Sequence, residues 1–121
     1  MASVAELMER MLQGVFNEPD PVRRAAAIDE TFTEGVVFTD SEGTVTGRAA
    51  LAAKVTELLA QGPALVFTHD GPLREIAGAL GVRAWTLGPP GGAPVLGGLD
   101  VAVVEDGRIA TLYTVLDAGR A

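Results

Sequence analysis

The chain has 121 residues, 48% of them hydrophobic and 21% charged, which fits one domain around one core and is too apolar for a disordered chain. Sixteen acidic against nine basic residues give a formal charge of −7, the wrong sign for gripping phosphate backbones, so nucleic acid is not an expected partner. Cysteine is absent, which excludes disulfides, thiolate catalysis and cysteine-bound zinc, and a lone His69 makes a histidine metal site improbable.

Ser3 opens the first element. Val4, Leu7, Met8, Met11, Leu12 and Val15 follow at three- and four-residue spacings, and Glu6 completes a capping box, so a helix is predicted over 4–16. Residues 1–9 carry no basic start and no apolar run approaches the roughly 20 residues that cross a bilayer, so the expectation is one cytoplasmic domain, 1–121, without a membrane partner. Asp20 before Pro21 is an N-cap and first-turn pair for a second helix reaching Phe32, with Val22, Ala25, Ala26, Ile28 and Phe32 as its apolar face.

Val36, Val37 and Phe38 make a short strand that ends at the turn Asp40-Ser41-Glu42-Gly43. A third helix is predicted over 49–60 on the stripe Leu51, Val55, Leu58 and Leu59, stopped by Gly62-Pro63. Strands are then expected over 64–69, 73–79, 82–87, 94–104 and 108–116, the last two joined across Glu105-Asp106-Gly107. Gly88 to Gly92 lacks the lysine and following helix of a phosphate loop, and no other cofactor motif is present. Helices first and a meander of strands afterwards is an α+β pattern with an antiparallel sheet. The long strand 94–104 carries few charges on either face, which points to a homodimer or a covering helix. Abundant Ala and Gly with a single Lys54 is a bias that accompanies high-GC bacterial genomes.

Three marks then stand in order: Asn17-Glu18-Pro19-Asp20 after the first helix; Val36-Val37-Phe38-Thr39-Asp40 with Gly47-Arg48 behind it; and Asp100 followed by Glu105-Asp106-Gly107-Arg108-Ile109. Across nearly its whole length the chain thereby resembles the nuclear-transport-factor-2-like superfamily and, within it, the SnoaL-like and ketosteroid-isomerase-like groups. That resemblance implies a cone-shaped α+β fold in which three N-terminal helices pack on a curved antiparallel sheet around an apolar pocket, often as a dimer. Its members include isomerases, cyclases, dehydratases, epoxide hydrolases and non-enzymes, so fold does not give function. In the isomerases, an aspartate resembling Asp40 is the base beside a ketone and one resembling Asp100 is a protonated oxyanion donor. Those enzymes also place a tyrosine on the first helix, where this chain reads Met8-Glu9-Arg10-Met11-Leu12. Half of that oxyanion site is missing here.

Asp100 interrupts an otherwise uncharged stretch, and a buried lone carboxylate is costly unless neutralised or paired. It is either a pocket acid or a strand residue paired with Arg83 or Arg108. Asp40 is either a pocket base delivered by an apolar strand or an ordinary turn residue. His69 is either a proton shuttle or a strand-end histidine bonded to the Asp70-Gly71 turn. Strand parity and the family pattern give Phe16, Phe38, Phe67, Trp85, Leu96, Ala102, Leu112, Thr114 and Leu116 as ligand-binding residues. The expected ligand is a small apolar carbonyl or polyketide-type compound, turned over without a cofactor in an isomerase or cyclase reaction with Asp100 as acid and Asp40 as base. The alternatives are a non-catalytic ligand-binding or dimerisation domain and, third, an epoxide hydrolase, which would need an arginine such as Arg83 bridging two carboxyls.

Overall fold

The computed structural model describes residues 1–117, so the last four residues of the expected domain lie outside it. Ser3 and Glu6 form the capping box: the Ser3 Oγ accepts from the Glu6 N–H at 3.1 Å, and Glu6 Oε1 accepts from the Ser3 N–H at 3.0 Å. Helix α1 (Val4–Arg10) continues as a wider π-helical segment, Met11–Phe16. The extra residue per turn brings Met11, Leu12, Val15 and Phe16 all inward, a local widening that is common where a side chain must reach a functional site.

Helix α2 (Pro21–Thr31) begins as the Asp20-Pro21 pair predicts, with the Asp20 carboxyl accepting from the Val22 N–H. Its buried face is different from the expected one. Val22, Ala25 and Ala26 are exposed, while Arg24, Ile28 and Thr31 are buried. Arg24 tolerates burial because its guanidinium donates to the Glu18 and Pro19 carbonyls and to Thr56 Oγ1, which leaves its charge hydrogen-bonded on three sides. Phe32 is not helical either: with φ −113° and ψ 151° it starts strand β1 (Phe32–Asp40).

Strand β1 turns at Ser41-Glu42 into β2 (Gly43–Thr46), a pairing not foreseen from the sequence. Helix α3 (Arg48–Gln61) follows, and then β3 (Val66–His69), β4 (Arg74–Ile76), β5 (Leu80–Gly88), β6 (Leu96–Glu105) and β7 (Arg108–Leu116). The sheet order is β2-β1-β7-β6-β5-β3, with β4 pairing β5 beside β3. Among these pairs, β1 and β7 run parallel, so the expected wholly antiparallel sheet is a curved mixed one. The reason is topological. After α3 the chain re-enters the sheet at its far edge and meanders back, so its last strand meets β1 from the same direction.

Helix α1 can lie directly on β5 because position 81 is glycine: a Cβ there would sit 2.5 Å from Val4 Cγ1. Between helices and sheet the core joins Leu7, Met8, Met11 and Val15 to Phe32, Val36, Ile109 and Leu112. No helix among the described residues is long and apolar enough to cross a membrane.

Candidate functional site: an apolar cavity with one buried acid

Beyond that core the helices and the curved sheet do not meet, and a cavity of about 370 Å³ remains, within the size range of small-molecule sites. The π-helical segment contributes Leu12 and Phe16, the end of α3 gives Leu58 and Leu59, and the sheet supplies Phe38, Phe67, Trp85, Leu96, Thr114 and Leu116. Phe16 touches Phe38 at 6.2 Å and Phe67 at 5.7 Å, and Phe67 meets Trp85 edge-on at 5.3 Å, a continuous aromatic wall at ordinary contact distances. Exposed Ser41, Glu42 and Gln61 also line the cavity and mark where it opens to solvent.

Asp100 projects into this apolar space from the middle of β6. It is only 7% exposed, and Thr114 Oγ1, directly opposite on β7, donates to its Oδ1 at 2.7 Å. Burial disfavours the charged form and pushes the Asp100 carboxyl from 3.8 up to about 6, outweighing the opposing pull of Thr114 and Trp85. The Trp85 indole N–H lies close enough to favour the carboxylate, yet it is not aligned as a hydrogen bond and has no other partner. Arg83, although in register with Asp100, points elsewhere: it donates to the Gly71 carbonyl, is not among the lining residues and forms no ion pair with the acid.

Asp40 lines the same cavity at the solvent end. Its Oδ1 accepts from the Glu42 N–H in the turn while its Oδ2 lies 3.5 Å from Lys54 Nζ on α3. Lys54 also bonds Glu42, and these carboxylates raise the pKa of its ammonium, the Glu42 bond most of all.

The remaining expected site residues separate by depth. Ala102 and Leu112 are fully buried in the core and do not line the cavity, because strand parity fixes the side of the sheet but not the position along it. His69 is outside the lining as well. Its Nε2 is 3.0 Å from Glu9 Oε2 on α1, not at the Asp70-Gly71 turn, and burial, followed by the nearby Arg83 charge, lowers its pKa below 6.5. Tyr113 faces away from the cavity and is 45% exposed. Among lining residues absent from the sequence reading, Leu12 depends on the π-helical widening, and Leu58, Leu59 and Leu65 depend on where α3 ends. Among the described residues no group of three or more His, Asp or Glu side chains is placed to hold a metal ion.

An α+β domain with a small apolar cavity and one buried acid is the class that fold and site define. The chain belongs to the SnoaL-like domain family, whose pattern it matches over residues 8–112. Among solved structures it is similar to a candidate isomerase of the SnoaL-like family from Agrobacterium tumefaciens str. C58, at 25% identity and TM-score 0.85, covering 93% of this chain and 95% of the other. It also resembles a candidate SnoaL-like polyketide cyclase from Jannaschia sp. CCS1 (17% identity, TM-score 0.75, 93% and 84% covered). A candidate ketosteroid isomerase from Kribbella flavida DSM 17836 is a third (18%, 0.70, 95% and 78%). No curated protein matches the chain significantly.

Proposed function

We propose that the cavity takes a small, neutral, largely apolar carbonyl or polyketide-type compound and catalyses a cofactor-free proton shift, as in an isomerase or cyclase. The observation that carries this reading is Asp100, a carboxylic acid buried in a largely apolar cavity with its pKa raised to about 6. An acid in that range donates and regains a proton near neutral pH, and a bound apolar ligand, by expelling water, would hold it protonated for longer. Asp100 gives its proton to the carbonyl oxygen, while the carboxylate of Asp40, paired with Lys54, takes the proton from the carbon beside it. The enol so formed is reprotonated at another carbon, or attacks a second carbonyl in a cyclase. Two carboxyls whose surroundings differ in this way are the usual source of separate acid and base roles. Glu42 and Asp40 against one Lys54 leave the opening net negative, which favours neutral over anionic ligands.

Hydrogen–deuterium exchange at the carbon beside the carbonyl, followed by NMR for a panel of small cyclic ketones, tests the reading. The protein is expected to speed exchange, and Asp100→Asn and Asp40→Asn each to slow it by ~100- to 10,000-fold, the usual contribution of one acid–base group. Ketone binding without exchange would instead leave a non-catalytic binding domain. An epoxide hydrolase is disfavoured by Arg83, which is bonded to Gly71 and bridges no carboxyls.

We also propose that two copies pair through the outer face of the sheet. Tyr113 and Val115 stand exposed there, in register with Val101 and Leu99, so an apolar strip crosses β6 and β7 without a helix to cover it. Sedimentation should show a dimer, and Val115→Lys should yield monomer; a monomeric parent would end this proposal.

A further inference from the structure

Trp85 is 4% exposed and its Nε1–H has no hydrogen-bond partner, although buried donors in folded proteins nearly always have one. An unmatched buried donor is costly and calls for a physical reason. Its seating supplies one. Trp85 pairs in register with Gly98, two positions before Asp100 on β6. A Cβ at position 98 would lie 2.6 Å from Trp85 Cζ2 and 2.9 Å from Cε2, so only a glycine lets the indole lie flat against this strand. Cε2 is the carbon that carries Nε1, and the N–H is therefore held against the strand that bears Asp100. Phe67, edge-on at 5.3 Å, covers the ring on its other flank. The carboxyl meanwhile has Thr114 on Oδ1 and, among the described residues, no second bond of hydrogen-bonding geometry.

We propose that Trp85 is a positioning residue for Asp100: its indole N–H is held beside the carboxyl, where it supports the ionised form. This rests on the reading of Asp100 as the proton-carrying acid. A donor that bonds the ionised form more strongly than the neutral one makes proton release easier. In a chain whose first helix lacks a tyrosine, this buried N–H acts through Asp100, where a helix hydroxyl would act on the ligand itself.

Several other charged groups face this pair. His69 on β3 is in register with Trp85 and tied to Glu9 on α1; Arg83 on β5 is in register with Asp100 but bonded to Gly71; Asp40, Glu42 and Lys54 stand at the cavity opening. The π-helical segment offers no titratable side chain, and Tyr113 on β7 points outward. His69 is the serious competitor, because it is ionisable and its strand partner is the same indole.

The sequence has one tryptophan, so the indole of the ¹⁵N-labelled full chain gives a single resonance that can be followed by NMR without ligand from about pH 4 to about pH 8, alongside the ¹³C carboxyl signal of Asp100. The expected result is one shared midpoint for indole and carboxyl, an indole transition abolished by Asp100→Asn, and the same transition kept by His69→Gln. Trp85→Phe should raise the Asp100 midpoint by about one pH unit, a tenfold weaker acid. A silent indole beside a titrating Asp100, or a transition that survives Asp100→Asn or vanishes with His69→Gln, would overturn the positioning role while leaving the proton-shift reading in place. An Asp100 midpoint at the ordinary carboxylate value would remove both.

Discussion

Asp40 and Asp100 line one cavity, Asp40 half-buried at its opening and Asp100 buried in its interior at 7% exposed. Their partners differ as well as their burial. Asp40 has an ammonium at 3.5 Å and a backbone N–H on its other oxygen, whereas Asp100 has one neutral hydroxyl and an indole that is not aligned to bond it. The decisive quantity is whether the neighbours supply charge and donors to replace the lost water. At the solvent end they do; in the interior they do not, and the result is an acid whose pKa burial raises to about 6.

The largest expected consequence is in stability against pH. The folded-state pKa of Asp100 is raised, so between its unfolded value of 3.8 and about 6 the folded state holds a proton that the unfolded chain has released. Stability from this group is complete below 3.8 and is lost as pH rises through about 6, a total of about 3 kcal/mol. Asp100→Asn cannot ionise. Relative to the parent it should gain that amount in denaturant unfolding as pH goes from about 4 to about 7.5, even though it loses the proton shift. A parallel course for the two proteins would show Asp100 to be as well supported as Asp40 and would break the contrast between them.

How far this site is legible from the residues depends on which interaction fixes each part. Asp100 stands out because one charge in an apolar strand is unusual whatever the fold, and the Asp20-Pro21 and Ser3/Glu6 signals work because caps act within a few residues. The misreadings involve partners beyond the few residues that a cap spans. Val22 is apolar and exposed while Arg24 is charged and buried, and the difference comes from the Glu18 and Pro19 carbonyls and from Thr56 on another helix. Alternation along β6 and β7 places Ala102 and Leu112 on the correct side of the sheet. It carries no information on where the helices touch that side and where they leave a gap. Lys54, too, looks like a solvated helix lysine until the β1–β2 turn brings Asp40 and Glu42 to it.

Thr114→Val gives the next smaller effect and sharpens the account of the interior. It removes the donor on Asp100 Oδ1, a bond that opposes the effect of burial, so the carboxyl midpoint should move further up from about 6. A shift of about one pH unit is expected from one lost neutral hydrogen bond worth about 1 kcal/mol, read from the ¹³C carboxyl signal. A downward shift would mean that the hydroxyl had been favouring the protonated form.

The smallest effect belongs to the opening, and there the arrangement should behave as the interior cannot. Lys54→Met leaves Asp40 and Glu42 facing one another without the ammonium between them, which costs about 1 kcal/mol or less because Glu42 is well exposed and water screens the pair. Added salt should shrink that loss in denaturant unfolding, since Debye screening acts on charges that solvent can reach. The same salt should leave the Asp100 midpoint almost unmoved, because burial and not a charged neighbour is the first cause of its rise. If salt moved the Asp100 midpoint as strongly as it moved the Lys54→Met stability loss, the two carboxyls would be sharing one solvated field, and the shielded interior on which the proton chemistry depends would not exist.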